Sequence, residues 1–376
     1  MSSSPVPCVD SNRVLPCRRP LIEVFAQVPD RRDPRGVRHR LGTVLVIAQA
    51  AVAAGARTLL AVSEWAADVD RDTLTRLGID PAGVLPSEST IRRTLATVDG
   101  DDLDARIGAW MAVRVGHLDG QRVIAVDGKS LRGAKNGVTM PHLLAALHHD
   151  AGVVAGQLAV DAKSNEIPAL PDLLDQLDLT DTVVTADALH CQRETARYIT
   201  GRGGHYVLTV KGNQPRLRAR LKALPWSRVP ATTAVATGHG RRVRRTIRAV
   251  QAPGWVDFPG VAQILQVRRT RTINGRKRTE VVYVICSLDM AAAPKATVAS
   301  WIQGHWSIEN ALHWVRDVVF DEDRHQLRTG SGPQVMATLR NTAISLLRLA
   351  GHTRIAKALR HHSRDPDRPI DLILTA

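Results

Sequence analysis

Two short apolar segments, each followed at once by an aspartate, constrain the fold of this chain more than any other feature. Val123 to Val126 precedes Asp127, and Thr182 to Ala186 precedes Asp187, 60 positions later. Apolar runs of this length, rich in β-branched residues, predict buried strands. A strand end holds a carboxylate rigidly and leaves its oxygens free for a hard cation such as Mg²⁺. Taken alone, however, Asp127 is more simply interpreted as the start of a turn.

The pattern around these aspartates predicts a mixed α/β fold. Residues 142–149 and 153–161 are two strand-like runs separated by Asp150-Ala151-Gly152, a sequence suited to a hairpin turn. Ile167 to Leu177 has the polar start and early proline of a helix, and residues 205–210 form a further strand. Strand, hairpin, helix, strand, helix and strand are therefore expected to follow one another along the chain.

A third carboxylate lies on a predicted late helix, Thr297 to Phe320. Ile308 falls on the apolar face of this helix, and Glu309 lies at the border of that face. The basic side chains that share the Glu309 stripe, at four- and seven-residue spacings, are His305, His313 and Arg316. The stripe suits a surface ion-pair ladder. Together with the two aspartates, it also suits the third carboxylate of a two-metal site, in which one ion activates the nucleophile and the other stabilises the leaving oxygen.

Two basic residues near these carboxylates, Lys129 and Arg316, are predicted to hold scissile or flanking phosphates. The acidic run Asp321 to Asp323 is a rival to Glu309. We rank it lower because the end of a helix more often marks a solvated turn.

The charge of the chain indicates a polyanionic partner. Its 376 residues carry a formal charge of +15, which favours nucleic acid first and an anionic membrane surface second. The most apolar stretch, Val44 to Ala56, has 13 residues, whereas a bilayer span needs ~20, so we predict a buried helix there and no membrane partner. The N-terminal region lacks a signal-peptide core, and the four scattered cysteines suit reduced thiols. We therefore expect a cytoplasmic protein.

A strongly basic, strand-rich segment follows residue 213. Between Gly238 and Glu280 the chain has eleven Arg or Lys residues and two acidic residues. A solvated face is the alternative, but this imbalance favours a β-rich insertion that lies along phosphates. Trp226 and Trp255 suit either ordinary packing or stacking on an extruded base.

The region from Leu21 to Gly116 has helical periodicity. Within it, Ser87 can cap a basic helix that includes Arg92 and Arg93. This pattern suits the second helix of a DNA-binding helix-turn-helix and equally any capped surface helix.

The motifs along the chain resemble those of DDE insertion-sequence transposases, and most closely the H-repeat-associated, ISAs-type branch. The resemblance extends from about Leu21 to Arg348. The matching segments are VDGKSLRGA (Val126–Ala134), KSNEI (Lys163–Ile167), TADALHCQ (Thr185–Gln192), KGNQ (Lys211–Gln214) and HWSIENALHWVRDVVFDED (His305–Asp323).

The resemblance implies a ribonuclease-H-like mixed sheet with flanking helices, interrupted by the β-rich insertion and preceded by an all-α domain. The residue pattern and the resemblance together predict a disordered arm (1–20), a helical transposase-associated domain (21–118), the catalytic core (119–212 and 281–350), the insertion (213–280) and a basic tail (351–376).

The resemblance also implies cleavage of DNA at the ends of the element and joining to a target, with Mg²⁺ or Mn²⁺, two ions in all. Asp127, Asp187 and Glu309 would bind the metal and catalyse the reaction. The partners would be the terminal inverted repeats, the target DNA and further copies of the chain, in a bacterial, nucleoid-associated setting. The predicted DNA-binding residues are Lys129, Arg132, Lys211, Asn213, Arg241, Arg242, Arg244, Arg245, His305, His313 and Arg316.

The sequence departs from the related signature near Glu309. That signature has a Tyr and an Arg before the Glu and a Lys after it, where this chain has Ile302, His305 and Arg316. Two alternatives to an active transposase remain open. The first is a silent relative that binds DNA as a repressor, and the second is a structure-selective nuclease on the same core.

Overall fold

The computed structural model describes residues 20–115, 121–137, 139–161, 163–238 and 240–375. The predicted disordered arm at 1–20 lies outside these residues except for Pro20. The described strands are β1 (Arg122–Ser130), β2 (His142–His148), β3 (Val154–Val160), β4 (Thr182–Ala186), β5 (His205–Val210), β6 (Thr232–Gly238), β7 (Arg241–Gln251), β8 (Gln263–Ile273) and β9 (Arg276–Cys286).

Helices precede, separate and follow these strands. In chain order they are α1 (Leu21–Ala26), α2 (Leu41–Ala53), α3 (Leu59–Asp68), α4 (Arg71–Thr75), α5 (Glu88–Leu95), α6 (Gly100–Val115), α7 (Glu166–Asp175), α8 (Arg193–Gly201), α9 (Pro215–Lys222), α10 (Lys295–His305), α11 (Gly332–Leu349), α12 (Ile355–His362) and α13 (Asp367–Thr375). Two π-helical stretches, Glu309–His313 and Val315–Val319, follow α10.

All nine strands form one mixed sheet in the order β3-β2-β1-β4-β5-β9-β8-β7-β6. β1, β2 and β3 pair antiparallel, whereas β1, β4 and β5 pair parallel. Parallel neighbours need crossover connections, and the α7 and α8 segments provide them. The order and directions of these strands, with helices on both faces, confirm the predicted ribonuclease-H-like fold.

The predicted end of the first strand is wrong. β1 continues through Ser130, and Asp127 lies opposite Ala145 of β2. Only the pairing with β4 stops at Val126. Asp127 is thus held by backbone pairing on one side and opens on the other towards the ends of the parallel strands.

The two faces of the sheet bury separate apolar cores. Ile124 and Val126 pack with α7 and α8 on one face. Ala125 packs on the other face with α11 and the N-terminal helices. Because side chains alternate along a strand, Asp127 shares the second face, which also buries Ile308 and Leu312 of the late helix.

The predicted insertion continues the core sheet. β9 pairs with β5 along one edge and with β8 along the other, so the basic strands are hydrogen-bonded to the core without a break. Trp226 is buried, which fits the packing interpretation, whereas the side chain of Trp255 is 51% exposed.

The C-terminal region packs against the N-terminal helices. Ile355 of α12 and Ile370 and Ile373 of α13 are buried in the same core as α2. α2 is buried at every position from Val44 to Ala53, as its sequence predicted, and Gln49 is the one polar side chain in that stretch. Within the described ranges, no helix has both the length and the apolar character to cross a bilayer.

A buried carboxylate joins the helical region to the core. Asp104 of α6 accepts hydrogen bonds from Gln157 of β3 (3.1 Å) and from Thr338 (2.5 Å) and Gln334 (2.9 Å) of α11. Burial raises the pKa of Asp104 to about 7, against the effect of these three hydrogen bonds.

This pKa predicts a pH-dependent stability. Because the folded-state pKa of Asp104 lies above the unfolded value of 3.8, the folded protein holds the extra proton between these values. The contribution of Asp104 to stability should therefore fall as pH rises from about 4 to 7, by a few kcal/mol at most. Urea unfolding at pH 5 and pH 8 checks this, since the stability of wild type relative to Asp104→Asn should decrease between the two. An unchanged difference would contradict the prediction.

Candidate active site

A cavity of about 1360 Å³ opens where β1 and β4 stop pairing. Its walls come from the core strands, the late helix, the loop between α11 and α12, and the basic strands β7 to β9. Asp127, Asp187 and Glu309 all line it. The three carboxylates predicted from the sequence therefore face one cavity, although they lie far apart along the chain.

Asp127 is partly buried in the floor of this cavity. Burial raises the pKa of its carboxyl group to about 6, although nearby His313 opposes the shift. One oxygen, Oδ1, accepts a hydrogen bond from the backbone of Gly128 at 3.0 Å. Because burial makes the charged form of this carboxylate unfavourable, a cation beside it would stabilise that form.

Glu309 and His313 approach Asp127 from the late helix. His313 Nδ1 lies 3.2 Å from Glu309 Oε2 and 3.6 Å from Asp127 Oδ2. The hydrogen bond with His313 lowers the pKa of Glu309. Both residues lie in the π-helical stretch Glu309–His313, and such widened turns are frequent at functional sites.

These three residues suit a divalent cation. One potential ligand atom from each of Asp127, Glu309 and His313 lies within 4.8 Å of the others, and no other such group occurs among the described residues. Mg²⁺ accepts the two carboxylate oxygens as ligands, and Mn²⁺ accepts both the carboxylate oxygens and the imidazole nitrogen. Nδ1 of His313 is the ring nitrogen that faces the carboxylates. Its other ring nitrogen, Nε2, is buried and has no hydrogen-bond partner within the described ranges.

Asp187 lies beside this group. Val126 of β1 is paired in parallel with Ala186 of β4, so Asp127 and Asp187 follow paired residues on neighbouring strands. The Asp187 carboxylate accepts a hydrogen bond from the backbone of Leu189 at 2.8 Å. It is not one of the three residues whose ligand atoms cluster.

The predicted phosphate contacts of Arg316 and Lys129 are wrong. Arg316 is fully buried and its Nε donates to Glu322 at 2.9 Å. Lys129 is 8% exposed and its Nζ lies 2.5 Å from Asp317. The π-helical stretches Glu309–His313 and Val315–Val319 widen the turns here, so the seven-residue spacing no longer places Glu309 and Arg316 on one face.

The two histidines predicted to bind DNA contact other residues of the protein through Nδ1, although His305 is only partly buried and lines the cavity. His313 is 3% exposed and belongs to the carboxylate group described above. His305 Nδ1 lies 3.2 Å from Thr185 Oγ1, and burial lowers the pKa of His305 to about 4. His305 is therefore neutral near pH 7, which contradicts a contact through a charged imidazole.

Three other predicted DNA-binding residues differ in their surroundings. Arg132 has a side chain that is 76% exposed, 3.8 Å from Asp323. Lys211 is exposed and lines the cavity. Asn213 donates a hydrogen bond to the carbonyl of Ala188, in the loop that carries Asp187. Arg132 and Lys211 are thus accessible, whereas the amide of Asn213 has a partner within the protein.

The four predicted arginines of β7 lie on two faces of the sheet. Arg241 and Arg245 line the cavity, whereas Arg242 and Arg244 point to the opposite face because strand side chains alternate. Arg269 of β8 is paired with Arg245 and lies on the cavity face. Burial and the charges of Arg271 and Arg245 lower the pKa of Arg269. The repulsion between these arginines would be relieved by a polyanion bound between them, so their arrangement favours the binding of a polyanion.

Glu322 has a structural position that the sequence did not predict. It is 4% exposed, and it lies 2.9 Å from both Arg316 and Arg340. Burial opposes its ionisation, but the charges of the two arginines outweigh this effect and lower the pKa to about 2. Within the segment expected to be a solvated turn, Glu322 therefore belongs to a buried ion-pair cluster, whereas Asp321 and Asp323 are partly exposed. Both carboxylate oxygens of Glu322 have an arginine partner.

Comparison with known proteins agrees with these features. Residues 118–346 match the family described as Transposase DDE domain, and residues 22–111 match the DDE_Tnp_1-associated family. "Putative transposase YncI" of Escherichia coli O157:H7 is 31% identical over 347 residues, which cover 87% of each chain. "H repeat-associated putative transposase YhhI" of Escherichia coli strain K12 is 31% identical over 348 residues, 87% of this chain and 90% of the relative.

A solved structure, a piggyBac transposase synaptic complex with hairpin DNA, is 10% identical with a TM-score of 0.44, over 94% of this chain and 79% of that one. Because of the match over residues 118–346 and the 31% identity to both bacterial relatives, the chain belongs to the family of proteins with a transposase DDE domain.

Proposed function

We propose that this protein is a metal-dependent transposase that cleaves DNA at the ends of an insertion sequence and joins them to target DNA. The observation that supports this most strongly is the approach of Asp127, Glu309 and His313 to one another in a cavity that Asp187 also lines. A homo-oligomer on DNA in the bacterial cytoplasm, near the nucleoid, is part of the same proposal.

The carboxylates are suited to holding Mg²⁺ or Mn²⁺ against a phosphodiester. Asp127, Glu309 and His313 would hold one ion, and Asp187 with Asp127 would hold a second. Bound ions of this kind supply positive charge at the scissile phosphate and lower the pKa of a coordinated hydroxyl or water. The partly buried setting of Asp127 strengthens the electrostatic effect of any charge placed beside it.

The protein's own residues would place the DNA. Arg241, Arg245 and Lys211 present positive charge on the walls of the cavity and can hold the phosphates on either side of the cut. Lys129 instead forms an ion pair with Asp317, and neither residue lines the cavity.

A reaction with labelled element ends, a supercoiled target plasmid and Mg²⁺ tests the proposal. Cut ends and strand-transfer products are expected. Hydrolysis without joining would favour a structure-selective nuclease. Binding without cutting, under conditions in which a related active copy cuts, would favour the silent DNA-binding relative.

A matched pair of double variants tests which face of the basic strands meets DNA. Arg241→Ala/Arg245→Ala should weaken binding about tenfold and reduce the slope of log affinity against log salt by roughly 2, because two phosphate contacts are lost. Arg242→Ala/Arg244→Ala removes the same charge from the opposite face and should have a much smaller effect. Fluorescence anisotropy at several salt concentrations measures both. Equal losses would show that only net charge matters.

A further inference from the structure

The loop that carries Asp187 has no regular secondary structure and is held by side chains from other segments. It runs from Asp187 to Gln192, between β4 and α8. Asn213 donates to the carbonyl of Ala188, and Gln214 Nε2 donates to the carbonyl of Cys191 at 2.9 Å. The position of the Asp187 backbone therefore depends on contacts made several residues away.

Glu166 connects this loop to the edge of the sheet. Its Oε2 lies 3.0 Å from Nε2 of His190, a loop residue that is 1% exposed. Its Oε1 lies 2.8 Å from Nε2 of His142 on β2. The other ring nitrogen of His142 lies 2.9 Å from Ser130 Oγ on β1. Glu166 thus joins the Asp187 loop to the strand that carries Asp127.

The carboxylate of Glu166 is held firmly. Burial opposes its ionisation, but hydrogen bonds with His142 and His190 outweigh that effect and lower the pKa to about 2. Glu166 also starts α7, where the helix dipole favours a negative charge. Gly128 allows this approach, because a Cβ there would lie 2.1 Å from Glu166 Oε1.

Glu166 does not belong to the metal-ligand group. Among the described residues, that group consists of Asp127, Glu309 and His313. The cluster around Glu166 lies on the other face of β1, since Gly128 and Ser130 alternate with Asp127 along the strand. The charge of Glu166 also acts through space, since, beyond the effect of burial, it raises the pKa of Asp127. The His190 variants keep that charge and therefore isolate what Glu166 holds in place.

We propose that Glu166 is a positioning residue that, through His190, fixes the Asp187 loop so that Asp187 reaches the metal site beside Asp127. The inference rests on the proposed function, because it assigns Asp187 as a ligand. Partners that orient metal ligands typically contribute 10- to 100-fold to metal affinity, so we expect an effect of about that size.

Mn²⁺ binding to the full-length protein, measured by electron paramagnetic resonance without DNA, tests the role directly. Glu166→Gln and His190→Leu should each weaken binding by about 10- to 100-fold. The double variant Glu166→Gln/His190→Leu should bind Mn²⁺ no more weakly than the weaker of the two single variants, because both substitutions break the same contact between Glu166 and His190. His190→Gln keeps an N–H donor towards Glu166 and should recover most of the affinity.

Glu194→Gln is the matched control, since it removes a carboxylate that is 85% exposed from the neighbouring α8. It should change Mn²⁺ affinity by less than about twofold. DNA cleavage by Glu166→Gln should be lost at low Mn²⁺ and return at saturating Mn²⁺. If Glu166→Gln does not fold, the two His190 variants carry the comparison.

Unchanged Mn²⁺ affinity in a folded variant would overturn the proposal. So would additive losses in the double variant, which would mean that the charge of Glu166 acts from a distance. Wild-type protein that binds Mn²⁺ but cuts no DNA would contradict the proposed function alone, since the comparison of affinities would still decide the role of Glu166. Wild-type protein that binds no Mn²⁺ would overturn both.

Discussion

Replacing Asp127 with asparagine is expected to abolish cleavage of an element end, while binding of the same DNA changes by less than about twofold. Asparagine has the same shape, but it takes away a negative charge where a divalent cation would bind between Asp127, Glu309 and His313. We expect a loss of at least about a thousandfold, which corresponds to roughly 4 kcal/mol in the activation barrier. Gel assays of cleavage and fluorescence anisotropy of binding measure the two effects on the same preparation.

A surface aspartate provides the control for this experiment. Asp257 is 81% exposed and pairs with Arg193, so Asp257→Asn changes the net charge equally without touching the cavity. Its cleavage rate should stay close to wild type. An Asp127→Asn variant that cuts within tenfold of wild type would remove Asp127 from the catalytic role.

Replacing Glu322 with leucine is expected to lower the free energy of unfolding by roughly 3 to 5 kcal/mol. The reason is that Arg316 and Arg340, which are 0% and 1% exposed, would lose the carboxylate that balances both charges. Urea unfolding at pH 7 measures the loss. The same ion pairs make an acid-sensitive contribution. It is complete above the unfolded pKa of Glu322, near 4.5, and is lost as pH falls towards the folded value of about 2.

The neighbouring Asp323 is the matched control for Glu322. Its carboxylate is 30% exposed and 3.8 Å from Arg132, so Asp323→Asn should cost less than about 1 kcal/mol. Apolar replacement of all three members of the cluster should recover much of the stability lost in Glu322→Leu, because no buried charge is then left without a partner. A small effect of Glu322→Leu alone would show that water reaches the arginines.

The fold was predictable because its signals are local. Each apolar run that precedes an aspartate forms a strand, and a β-branched composition is enough to specify that. That Asp127 and Asp187 lie on neighbouring strands follows only when the crossover between those strands is known. The resemblance to the transposase family supplied this crossover. The continuation of β1 beyond Asp127 depends on pairing with β2, which a single segment does not reveal.

The site was less predictable because it depends on side-chain direction. His313 follows Glu309 by four residues, and this spacing correctly placed them together, but its inward orientation depends on packing against β1. The π-helical turns moved Arg316 into the core, and a 3.6-residue period cannot anticipate them. Glu322 looked solvated because its two arginine partners are separated from it by 6 and 18 residues and come from different elements.

The continuous sheet has a consequence for where DNA could be cut. β9 shares backbone hydrogen bonds with both β5 and β8, so the basic strands cannot swing about a flexible linker relative to the carboxylates. β8 and β9 have eleven residues each, which at about 3.3 Å per residue corresponds to roughly 36 Å. Phosphates bound along these strands would therefore lie at a fixed distance from the scissile bond, and the length of the strands would set that distance.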